Sequence, residues 1–138
     1  MAVGFKVSFY WYQIGQGDFL HSFFSTVAYR LEDGNWGSRF PVIMKELYQG
    51  KACAEHIAAA LEELGVITEE LRDHAPDQVI WDIEDLSKQP PWGSRISERI
   101  TDLSNYFVTS DGSDFLTIFL HALEMAQRKN CEIEIKSL

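Results

Sequence analysis

The chain has 138 residues, 46% hydrophobic and 13% aromatic, enough apolar material for one domain, 1–138, to bury a core without disulfide or metal staples, and too much for a disordered chain. Twelve Lys and Arg against twenty-one Asp and Glu give a formal charge of −9, a field that repels phosphate backbones and anionic headgroups and so argues against nucleic acid and membrane as partners. No apolar run approaches the roughly 20 residues of a bilayer-spanning helix, and the amino terminus, interrupted by Lys6, Ser8, Tyr10 and Tyr12, lacks the unbroken apolar stretch of a secretory signal.

A cytoplasmic location is the resulting expectation, with Cys53 and Cys131 reduced and structural. Residues 5–12 alternate, with Phe5, Val7, Phe9 and Trp11 on one side and Lys6, Ser8, Tyr10 and Tyr12 on the other, which predicts a half-exposed strand. Gly15 and Gly17 break the chain. Asp18 is placed to cap a helix whose Leu20, Phe24, Val27 and Leu31 share a face, and Asp33-Gly34 ends it. A loop follows to Phe40, and Pro41 suits the first turn of a short helix running to about Tyr48, closed by Gly50. From about Cys53 a further helix carries Ile57, Leu61 and Leu64; Thr68 with Glu69 and Glu70 resembles a fresh start, so one kinked helix or two are both open.

Pro76 ends the helical region. Val79, Ile80, Trp81 and Ile83 predict a short strand apolar on both faces, and Asn105 to Thr109 reads the same way. Between them Leu86 to Ser104, rich in Pro, Gly and Ser, predicts an ordered surface loop. Ser110-Asp111-Gly112 is a turn, Ser113 a candidate cap, and Phe115, Phe119, Ala122 and Ala126 line a helix ending in Arg128, Lys129 and Asn130. A last alternating strand, Cys131 to Lys136, completes an α+β fold: a two-layer domain with a roughly four-stranded sheet and helices packed on one face. The exposed faces of 5–12 and 131–136 would allow a homodimer.

Signatures of catalysis are missing. His21, His56, His74 and His121 form no HExxH arrangement and show no zinc-ligand spacing with a cysteine, so no metal and no cofactor is expected. Gly15-Gln-Gly17-Asp18 lacks the third glycine of a dinucleotide fingerprint, since Leu20 stands there. No GxSxG elbow or Walker-type lysine loop occurs. The acids are concentrated instead: from Glu62 to Asp85 nine acids face one base, Arg72, a net of −8 over 24 residues, which reads as a solvated face or as a docking surface for a basic protein. Asp82, Glu84 and Asp85 end the apolar segment, where hydrolases often place metal-binding acids, but Lys88 is the only basic neighbour. Pro90-Pro91 stiffens the loop beside them and presents Trp92, either tucked into the core or serving as an aromatic anchor for a partner.

The segments from Val79 to Gly93 and from Thr101 to Gly112 are where the sequence most closely resembles the immunity proteins of bacterial polymorphic toxin systems, specifically the immunity protein 70 family; the likeness extends over nearly the whole chain. The resemblance implies a cytoplasmic, non-enzymatic protein that binds and neutralises a cognate toxin carboxy-terminal domain, often a nuclease. A nuclease site is basic because it holds phosphates, so an acidic inhibitor would associate quickly with it. The residues expected at that interface, from charge and exposure, are Asp82, Glu84, Asp85, Lys88 and Trp92. The alternatives are a small metal-dependent hydrolase using Asp82, Glu84 and Asp85, and a non-catalytic adaptor or structural subunit.

Overall fold

The computed structural model describes residues 2–93 and 95–137; Met1, Ser94 of the expected loop, and Leu138 lie outside the described residues. The amino-terminal alternation folds back on itself instead of running on as one strand. β1 (Ala2–Val7) and β2 (Tyr10–Gln16) form an antiparallel hairpin joined by Ser8 and Phe9. Ser8 adopts φ 55, the positive dihedral that lets a two-residue loop match the twist of its strands. Reversal at Ser8 removes Phe9 from the expected core face and leaves it 99% exposed at the tip. Phe5 and Val7 are fully buried, whereas Lys6 is exposed, so the period-2 pattern holds only as far as the turn.

The chain continues into α1 (Gly17–Thr26), prolonged by a π-helical turn, Val27–Leu31. Leu20, Phe24, Val27 and Leu31 are all buried, as their spacing predicts. Asp18 is not the cap: Gln16 occupies that position, though its side chain does not cap the helix, and Asp18 sits in the first turn, where it favours the helix dipole. Pro41 precedes a second π-helical stretch, Val42–Leu47, whose first amides donate to the carboxylate of Glu63 from another helix (Val42 N 3.2 Å, Ile43 N 2.9 Å). That carboxylate is pushed up by burial, against the pull of the two amides. Glu32, 2% exposed, accepts from the amides of Gly37, Arg39 and Phe40 and so organises the preceding loop.

β3 (Lys51–Ala52) is followed by a 3-10 turn, Ala54–His56, and by α2 (Ile57–Leu71). α2 is one continuous helix; Thr68 lies inside it, its hydroxyl donating to the Leu64 carbonyl. α3 (Phe115–Lys129) is capped by Asp114, which accepts from Thr117 N, rather than by Ser113, and Asn130 closes it at φ 51. β4 (Ile133–Ser137) pairs antiparallel with β1 and β3, giving a four-stranded sheet in the order β2-β1-β4-β3. The strand count matches the expectation, but two members differ. The hairpin supplies one extra strand and Lys51–Ala52, too short to show any periodicity, supplies another.

Residues 79–83 and 105–109 are not strands, which corrects the expectation. Backbone groups of Ile80 and Ile83 are met by three buried hydroxyls on α1: Ser22 Oγ and Thr26 Oγ1 donate to the Ile80 carbonyl (2.9 and 3.2 Å), Thr26 Oγ1 accepts from Ile80 N (3.0 Å), and Ser25 Oγ accepts from Ile83 N (3.2 Å). Hydroxyls in a helix usually bond back to their own turn; here they hold a crossing segment. In the second stretch only Val108 makes an isolated bridge, to Asp114. Its neighbours Tyr106 and Phe107 are buried among the aromatics of the core, where Phe23 meets Phe107 at 5.5 Å and Phe115 at 4.8 Å and Phe5 meets Phe119 at 4.7 Å. Such ring pairs add roughly 0.5–1.5 kcal/mol each beyond the area they bury.

Candidate partner-binding surface

The segment after Pro76 has too few backbone partners of its own to form a strand, so its shape is set by α1 beneath it and by its own polar side chains. Asp82 turns back on the chain: its carboxylate accepts from Glu84 N (2.9 Å) and is reached by Lys88 Nζ and His21 Nε2, each at 3.4 Å. The Glu84 amide, with Lys88 and His21, holds Asp82 below the usual aspartate range. Asp85 repeats the device, accepting from the hydroxyl (2.5 Å) and the amide (3.1 Å) of Ser87, and its carboxyl is lowered for that reason. A carboxylate bonded to the backbone two residues on is a turn-forming arrangement. Glu84 is the acid of the three left projecting, and Glu84 and Asp85 are exposed.

Trp92 is neither fully tucked into the core nor free of it. Its Nε1 donates to Tyr106 Oη (2.9 Å), its ring stands edge-on to Trp81 at 5.5 Å, and 37% of the residue remains exposed. The part-buried hydrogen bond fixes the indole while one side stays open to solvent. Trp81 and Trp92 line a groove of about 250 Å³ with Ile14, Phe19, Pro91 and Val108. Glu84 borders a different groove, of about 340 Å³, with Ile83, His21, Trp36 and Tyr48. Asp82 and Lys88 are therefore brought together, whereas Glu84 and Trp92 face separate grooves.

The second groove's aromatic wall is built from residues that no sequence motif joins. Trp36 and Tyr48 meet at 4.8 Å, Tyr48 lies 3.4 Å from His21 Nδ1, and the Tyr48 hydroxyl is pushed up by burial and then by the nearby charges of Glu84 and Asp82. Trp36, His21 and Glu84 sit far apart in the chain, so no spacing marks them. The hairpin tip was missed for the opposite reason: Phe9, Tyr10 and Trp11 are 99%, 45% and 37% exposed, although the alternation assigned Phe9 and Trp11 to the core.

The acidic stretch is largely outward. Glu62, Glu69, Asp73, Asp77, Glu84 and Asp85 are exposed, while Glu63 holds the Val42–Leu47 turn and Glu70 forms a two-pronged pair with Arg39 at 2.6 Å. As for metal ligands, Asp82, Glu84 and Asp85 do not converge. Among the described residues three groups do, Glu46, Cys53 and His56, whose ligand atoms lie within 4.8 Å of one another. Cys53 and His56 are separated by two residues, a sequence signal that the expectation of no zinc-type spacing overlooked. Among the described residues no helix is long and apolar enough to cross a membrane.

Residues 5–135 match the family described as Immunity protein 70. Neither the curated proteins nor the solved structures gave a match.

Proposed function

Because the chain belongs to the immunity protein 70 family, we propose that it binds a cognate toxin domain and neutralises it by covering its surface, with no chemistry of its own. The observation that carries this reading is the family match over residues 5–135. The charge of −9 and the outward acids of α2 and the following loop support a basic toxin of the nuclease type, which such a field would attract over long range. Within that surface Glu84, Asp85 and Trp92 are the contacts we favour, with Asp82 and Lys88 setting the shape of the loop. The hydroxyls beneath the loop and the Trp92–Tyr106 bond hold it in one form, so that little ordering entropy is lost on binding.

Asp82, Glu84 and Asp85 support the hydrolase alternative less well, since Asp82 and Asp85 are turned onto their own backbone. The decisive experiment is co-expression with the carboxy-terminal toxin domain encoded beside this chain, scoring survival and co-purification. Rescue with a stable complex is the expected result, and the Asp82→Ala, Glu84→Ala, Asp85→Ala triple variant should bind at least roughly tenfold more weakly, with a shallower dependence on salt. Unchanged affinity in that variant removes the acids from the interface. Toxicity unrelieved by the protein, with no complex, overturns the immunity reading.

A further inference from the structure

Outside the proposed docking surface, the structure joins three side chains of different chemistry at one point. Glu46 comes from the Val42–Leu47 turn, Cys53 follows the short strand β3, and His56 ends the 3-10 turn that leads into α2. Cys53 Sγ lies 3.4 Å from His56 Nδ1, and Glu46 Oε2 lies 2.7 Å from the same nitrogen. The sulfur and the carboxylate thus close on one nitrogen of the ring. Glu46 is further fixed by its other oxygen, which accepts from Cys53 N at 2.9 Å.

We propose that Glu46, Cys53 and His56 form a divalent-cation site of the zinc class, with a fourth position left open to water. Zinc takes S, N and O donors at roughly 2.0–2.3 Å, which in a tetrahedron places the ligand atoms roughly 3.3–3.7 Å from one another. The sulfur–nitrogen separation already falls in that range, and the nitrogen–oxygen contact opens by roughly half an ångström once the ion replaces the hydrogen bond. One soft thiolate, one imidazole and one carboxylate favour zinc over calcium or magnesium, which prefer all-oxygen shells. On binding, the thiol proton leaves to solvent and the imidazole carries its hydrogen on Nε2 while Nδ1 holds the ion. The exposure of His56, 53% for its side chain, gives the ion a path in. The ion would tie the edge strand β3, only two residues long, to α2 and to the Val42–Leu47 turn. It is independent of toxin binding.

The test is titration of the chelator-treated protein with Co²⁺, read by absorption. One equivalent should produce visible d–d bands of a four-coordinate ion and a near-ultraviolet thiolate-to-cobalt charge-transfer band, both bleached by Zn²⁺. Cys53→Ser should lose the charge-transfer band and His56→Ala should weaken binding at least tenfold, while Cys131→Ser and His121→Ala should bind as the parent does. Glu46→Gln keeps an oxygen for the Cys53 amide, and so tests the ligand with that backbone bond retained; it too should bind more weakly, by several-fold. Zn²⁺ should raise the melting temperature of the parent and leave that of Cys53→Ser unmoved. No charge-transfer band, or one that survives Cys53→Ser and disappears with Cys131→Ser, overturns the site.

Discussion

Replacing Thr26 by Val tests whether the segment carrying Asp82, Glu84 and Asp85 is held by the hydroxyls of α1. The two side chains have nearly the same shape, so the substitution deletes hydrogen bonds without opening a cavity at a position that is fully buried. Thr26 Oγ1 is the acceptor for Ile80 N and one of two donors to the Ile80 carbonyl; the other is Ser22 Oγ, at 2.9 Å. Thr26→Val therefore leaves the amide without a partner, a loss of about 1–3 kcal/mol for a group shielded from water. Ser22→Ala leaves the carbonyl still bonded by Thr26 and should cost only about 0.5–1.5 kcal/mol. In the double variant the carbonyl loses both donors, so the destabilisation should exceed the sum of the single ones. Urea unfolding gives these energies, at roughly 4 °C of melting temperature per kcal/mol in a chain of this size, and hydrogen exchange at the Ile80 amide reads the bond directly. If Thr26→Val costs no more than Ser22→Ala, or the Ile80 amide stays protected in it, the hydroxyls do not hold the segment.

Three other outcomes follow from the geometry. Gly4→Ala should cost about 1–3 kcal/mol, the usual range for overpacking, because its Cβ would stand 2.5 Å from Trp11 Cζ2 and 2.6 Å from the Tyr12 carbonyl oxygen; a melting curve equal to the parent's would contradict it. Phe9→Ala should leave stability within about 0.5 kcal/mol, since the ring is 99% exposed, yet weaken the toxin complex if the hairpin tip is an anchor; binding and unfolding measured on one preparation separate the two. Asp82, Asp85, Asp102 and Asp111 are all held below the ordinary 3.8 of an aspartate by hydrogen bonds to their charged form, so the stability they supply is present above that value and lost as pH falls through their folded values. Glu63, raised by burial from an ordinary 4.5, acts in the opposite sense, its contribution being greatest in acid and lost as pH rises through its folded value. Urea midpoints from neutral pH downward should therefore fall in acid, with Glu63→Gln deepening the fall.

Local chemistry carried part of the fold into the sequence. The stripe of Leu20, Phe24, Val27 and Leu31 was readable because the residues that bury it repeat at helical spacing, and Asn130 was readable as a stop because few residues but Asn and Gly accept a left-handed backbone. The strand at 79–83 was misread for an equally physical reason. Apolar side chains on both faces say only that a segment is covered; they do not say what takes its backbone hydrogen bonds. Here the takers are Ser22, Ser25 and Thr26, which an apolar-stripe reading of α1 passes over as ordinary polar positions. The hairpin failed at a single dihedral, Ser8, which the alternation of its neighbours does not reveal.

The same distinction separates what was legible in the candidate surface from what was not. Acidity is a property of composition, so the outward charge of 62–85 was visible without a fold. Which acids remain free is a property of the turns they make. Asp82 and Asp85, chosen for their sign, each commit one oxygen to an amide of the chain, of Glu84 and of Ser87, and that leaves Glu84, beside Tyr48 and Trp36 from another part of the chain, as the acid of the three with a groove to itself. A single Glu84→Gln substitution should for that reason remove more toxin affinity than Asp85→Asn. The order is read by titration calorimetry at low and high salt: the reverse order would place the interface along the loop's crest, and equal effects would mean that the partner senses the field of the surface as a whole.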